Sequence, residues 1–164
     1  METYGHPGEP PSPVHARLAN LRVTCGALLF SSTLMGILSW LLVEQMGIES
    51  PVPDLPGLPL SLTVAATILL LLGSRLRNGL IRRVPPPIPD SADPGPEPVL
   101  AAYQRATLVS FALFESAAVL GLILALITGQ VRYGLILSLA AVLSMLVRWP
   151  RQAELDRLLR RRGA

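Results

Sequence analysis

The chain has 164 residues, of which 51% are hydrophobic, 15% charged and 5% aromatic. Soluble domains carry roughly 25% charged residues, so this composition excludes a disordered chain and argues against a soluble enzyme domain. A lone cysteine, Cys25, excludes a disulfide-stapled secreted module. Net charge is only +3 and all 14 basic residues are arginine; with a mean hydropathy of +0.49, the chain fits lipid as its solvent.

Residues 1–16 carry four prolines and little apolar content, and read as a disordered, Pro-rich cytoplasmic arm. The first uncharged run is 23–43, 21 residues between Arg22 and Glu44. It exceeds the apolar core of a signal peptide and no small-residue cleavage site follows it. The second run, 55–74, holds 20 residues between Asp54 and Arg75. Residues 84–98 form a Pro-rich cytoplasmic linker. The third run, 106–131, holds 26 residues with one charge, Glu115. A spanning helix needs about 20 apolar residues, so these three qualify outright.

The fourth run, 133–147, has only 15 residues. It covers about 22 Å of a roughly 30 Å hydrocarbon core. Snorkelling by Arg132 and Arg148, with Tyr133 and Trp149 as interfacial anchors, makes it a span; a re-entrant segment is the alternative. The tail, 151–164, sets Leu155, Leu158 and Leu159 on one helical face among arginines. It reads as an amphipathic helix whose Arg157, Arg160, Arg161 and Arg162 meet anionic headgroups, or as an ordinary basic flank. The expected fold is therefore all-α: a polytopic membrane protein of four transmembrane helices, in two tandem helical hairpins (17–83 and 99–150).

Orientation follows from the arginines. With both termini cytoplasmic, Arg17, Arg22, Arg75, Arg77, Arg82, Arg83, Arg105, Arg148, Arg151, Arg157, Arg160, Arg161 and Arg162 all fall on one side. Only Arg132 falls on the other, where Glu44, Glu49 and Asp54 also lie. This places the chain in the cytoplasmic (inner) membrane, and topology accounts for the basic balance without nucleic acid. Spans one and three share a pattern, residues 27–36 against 112–121, ending in Gly36 and Gly121. Residues 62–66 likewise align with 137–141. Duplication of a hairpin explains both, and chance matching of leucine-rich helices is the alternative.

Glu115 lies ten residues after Arg105, about 15 Å into the bilayer. An acidic residue there costs on the order of 3 kcal/mol on insertion scales and needs a reason. Counting from the flanking arginines puts Ser31, Ser32, Thr67 and Ser138 at the same depth, a polar midplane layer. Glu115 is then a proton or cation carrier, or a hydrogen-bonded clasp between helices or subunits. Cys25 reads as a palmitoylation candidate or a small core residue. His6 and His15 are too isolated for a metal site, and no nucleophile–base pair, phosphate loop or cofactor motif is present.

Residues 105–127 resemble the carboxylate-bearing helix of the proteolipid (c) subunits of rotary ATPases. The match rests on Ala112-Leu113-Phe114-Glu115-Ser116, followed by Gly121-Leu122-Ile123-Leu124-Ala125-Leu126. The resemblance implies that Glu115 binds a proton or sodium ion, with Ser116 as a co-ligand. Two functional expectations stand together: a non-enzymatic accessory subunit of a homo- or hetero-oligomeric membrane complex, without cofactor or metal, and an ion-translocating protein using Glu115.

Overall fold

The computed structural model describes residues 13–47, 57–82 and 97–163. Five helices make up this part of the chain. Helix α1 (Pro13–Trp40) continues through a π-helical turn, Leu41–Gln45. It is followed by α2 (Gly57–Arg82), α3 (Glu97–Thr128), α4 (Val131–Val147) and α5 (Gln152–Gly163). Three of them, α1 with its π turn, α2 and α3, are long and apolar enough to cross a membrane. Helix α4 joins them as a fourth when taken with α5, from which it is bent by 50°.

Helix ends differ from the limits drawn at charges. Residues 13–16, expected in the disordered arm, are the first turn of α1. Proline is tolerated there because a first-turn N–H has no helical acceptor, and Val14 packs against the core. Gly57–Pro59 and Glu97–Pro98 likewise open α2 and α3. The rest of the arm, the first loop and the linker lie outside the described residues. Between α3 and α4, the Gln130 N–H donates to the Ala125 carbonyl at 3.2 Å. This closing bond requires a left-handed residue between them, supplied by Gly129 at φ 64°.

The start of α1, the end of α2, the start of α3 and the end of α4 meet at one end of the bundle. Arg148 donates to the Ser74 carbonyl, Arg22 to the Pro150 carbonyl, and Gln104 to the Arg17 carbonyl. Consecutive long helices are therefore antiparallel, and α4 runs the full distance from the α3 turn back to this arginine-rich end. Helix α3 is the hub, with α2 on one flank and both α1 and α4 on the other. Helices α1 and α4 also touch, whereas α1 and α2 scarcely meet. The second hairpin is thus a packed pair, and the first is a pair in chain order only.

Small and hydroxyl residues line the interior beside a few large ones, Leu100, Tyr103, Phe111, Phe114, Leu124 and Met145, while many leucine, valine and isoleucine side chains face outward. Ala66, Ala106, Ala117, Ala118, Ala125 and Ala141 are buried with Ser32, Ser39, Thr107, Ser110 and Ser138. Phe30, Ile37, Leu60, Ile68, Leu71, Ile136 and Leu139 are exposed. Between helices in lipid there is no hydrophobic drive, so close backbone approach supplies the attraction and small residues permit it. A Cβ on Gly121 would sit 2.8 Å from the Leu137 Cβ, and one on Gly73 2.8 Å from the Phe114 ring. One on Gly134 would collide with the Ser39 side chain. Gly36 and Gly121, paired by the sequence alignment, both lie against α4, at Ser138 and Leu137.

Pro150 and Trp149 break the α4–α5 column, since proline cannot donate to a continuing helix. Helix α5 then folds back on the bundle. Leu155 is fully buried in a cluster with Leu18, Leu21, Cys25, Leu100 and Tyr103, and Leu158 and Leu159 pack against it. The leucine face of the tail is therefore occupied by protein. Cys25, buried with it, is a core residue.

Candidate functional site

Two polar zones stand out against the apolar bundle. The first surrounds Glu115. On α3, Glu115 falls on the stripe of Gln104 and Leu108, which borders α1, and next to the exposed stripe of Ala112, Ser116 and Val119. Glu115 is half-buried, and its carboxylate makes no hydrogen bond or ion pair among the described residues. Ser116 is exposed and donates to the Ala112 carbonyl of its own helix at 2.8 Å.

The midplane layer is not assembled around it. Ser32 is buried, with its hydroxyl 3.9 Å from the Met145 sulfur, and Ser31 is half-buried. Thr67 is exposed on α2, beyond the far flank of α3, and donates to the Thr63 carbonyl at 2.8 Å. Ser138 faces Gly36 of α1, and its buried Oγ has no partner among the described residues. Interhelical contacts also shift the depths. Gly73 meets Ser110 and Phe114, and Gly121 meets Gly134 and Leu137. Counting at 1.5 Å per residue from these points sets Thr67 and Ser138 level with each other, about one turn beyond Glu115. Ser31 and Ser32 are the pair at its level, as read from Gly36 against Ser138. A count from flanking arginines says nothing about which side of α3 a helix occupies.

The second zone closes the arginine-rich end. Arg77 of α2 turns inward, its side chain only 7% exposed, and its Nη2 donates to Glu154 Oε2 of α5 at 2.7 Å. Tyr103 of α3 donates its hydroxyl to the same oxygen at 3.1 Å, and the Arg77 guanidinium lies 5.7 Å from the Tyr103 ring centre. That distance is within the range of a cation–π contact. Arg148 sits over the Phe114 ring at 6.0 Å. Arg17 and Glu97 form an exposed pair at 2.6 Å, and His15 and Gln152 meet at 2.9 Å. Arg157 and Arg160 point outward from α5; the side chains of Arg161 and Arg162 lie outside those described.

Arg77, Tyr103 and Glu154 are the residues that sequence reasoning missed as a unit. Arginine is rarely buried unless paired, and a basic flank explains Arg77 by topology before any inward role suggests itself. One signal was present: Ala66, Gly73 and Arg77 are spaced seven and four apart, so Arg77 continues the small-residue stripe that faces α3. The cluster joins three helices through one carboxylate oxygen, which makes it a structural clasp.

Fold and polar zones together define an all-helical protein with three to four helices able to cross a membrane. No family model, curated protein or solved structure matches the chain.

Proposed function

We propose that this chain is a small multi-pass integral membrane protein, a non-enzymatic accessory subunit of a membrane complex. It sits in the cytoplasmic (inner) membrane with the arginine-rich end, both termini included, on the cytoplasmic face. The observation that carries this reading is the inside-out surface: large apolar side chains face outward on all four long helices. Helix α2 leaves most of its sides uncovered among the described residues. Exposed apolar patches beyond a few hundred Å² mark lipid or partner contact, and Glu115, half-buried and without a bonding partner among the described residues, supplies a polar group for a partner chain to meet.

Native mass spectrometry of the protein released from bilayer nanodiscs tests it. A mass above that of one chain, from further copies or a co-purifying subunit, is the expected result. A single chain without a partner contradicts the subunit reading.

A second reading is favoured by the same isolated carboxyl: proton or cation carriage by Glu115, with Ser116 one position along. Glu115→Gln separates the two. Carriage predicts that the variant assembles normally and abolishes ion flux in proteoliposomes together with carbodiimide labelling; the subunit reading predicts weakened assembly.

A further inference from the structure

We propose that the partner of this chain is a transmembrane segment of a different protein, seated in the cleft between α1 and α2 and carrying an arginine or lysine at the depth of Glu115. The inference deepens the subunit reading and rests on it. Helices α1 and α2 scarcely meet, so a stripe of α3 is left uncovered between them: Val109, Ala112, Ser116, Val119 and Ile123 are exposed there. Leu113, against Gly73, marks the α2 border of this stripe, and Gln104, which donates to the Arg17 carbonyl, marks the α1 border. Ala112 and Ser116 are small, which lets another backbone come close.

Glu115 lies on the α1 side of that stripe. It makes no hydrogen bond or ion pair among the described residues. Its carboxylate oxygens reach the surface, unlike the buried hydroxyls of Thr107 and Ser138, so an arriving side chain can bond them. A carboxyl at this depth is costly alone, and ionisable groups inside a membrane are as a rule matched with one another. An acyl chain offers neither a charge nor a hydrogen bond.

Charge placement identifies the occupant. All 14 basic residues are arginine, and none falls within 23–43, 55–74, 106–131 or 133–147. His6 and His15 precede the first of these runs. A second copy in the same orientation therefore brings no cation to the level of Glu115, ten residues past Arg105. The complementary charge has to come from another protein, whose spanning segment bears it about 15 Å from the arginine-rich boundary.

A synthetic transmembrane peptide of leucine and alanine with one central lysine tests this, its association with the full chain in phosphatidylcholine bilayers read by fluorescence energy transfer. Two further peptides serve as comparisons, one with leucine in place of the lysine and one with the lysine moved two turns toward an end. The central lysine should tighten association about tenfold over both, toward the upper end for interhelical polar contacts in lipid. Glu115→Gln should erase that preference, and carbodiimide should link the central-lysine peptide to the unsubstituted chain but not to the variant. Equal association of all three peptides, or a preference that survives Glu115→Gln, overturns the pairing. Native mass spectrometry separates the two levels. A mass above one chain without a lysine preference overturns this pairing alone, and a lone chain without one overturns the subunit reading as well. A complex made only of copies of this chain also overturns the pairing.

Discussion

Glu154 holds two helices with one oxygen, and its loss should be felt at both. Removing one partner of a fully buried ion pair costs about 3–5 kcal/mol because the other charge stays unsatisfied. Glu154 is 39% exposed while Arg77 is 7% exposed, so water reaches the pair and about 1–2 kcal/mol is the expected loss for Glu154→Gln. Thermal unfolding in detergent measures it; a midpoint equal to that of the unsubstituted chain would remove the clasp from the account. The exposed Arg17–Glu97 pair serves as the contrast, since surface pairs contribute about 0–1 kcal/mol. At the other polar zone the residue types were legible and their grouping was not. Glu115 was singled out because a charge in lipid is expensive, whereas Arg77 was hidden among flanking arginines that orientation already explained. Glycine carries a second test. Gly121→Val would thrust its side chain at Leu137 and the Tyr133 carbonyl, and overpacking of this kind costs about 1–3 kcal/mol. A lowered midpoint in the same assay is expected.

Helices announce themselves by apolar runs, and all four long ones were legible for that reason. Their ends were not, because charge and proline do not stop a helix that has protein to lie against. Helix α5 shows the difference most plainly. Its sequence has the pattern of a surface-seeking amphipathic helix, yet Leu155 inserts beside Leu18, Leu100 and Tyr103. A 12-residue pattern cannot state whether lipid or protein meets its apolar face. Truncating that anchor should release the element. Leu155→Ala removes a fully buried leucine side chain, for which about 2–5 kcal/mol is lost. Trypsin cleavage at Arg157 and Arg160 should then quicken while the α1–α4 bundle stays intact. An unchanged cleavage rate would mean that α5 is held elsewhere.

Across the whole molecule, the antiparallel order of the long helices could be read from charge placement, since basic residues cluster where helices begin and end. The lateral arrangement could not. Thr67 and Ser138 share a depth, but Thr67 lies on α2, on the other flank of α3 from α1, and Ser138 turns to Gly36 about a turn beyond Glu115, so neither hydroxyl bonds it. A periodicity fixes the face a helix presents and leaves open which neighbour meets it; chain proximity suggested α1 against α2, and close approach at Gly73 placed α2 mainly against α3. The central claim is that this bundle spans the inner membrane with its arginine-rich end inside. Single cysteines in a Cys25→Ala background test it directly: Gln130→Cys at the α3–α4 turn and Arg151→Cys at the α4–α5 corner. With a membrane-impermeant maleimide, Gln130→Cys should label in intact cells and Arg151→Cys only after permeabilisation. Labelling of both from the same side, or release of the chain from membranes at alkaline pH, would contradict the account.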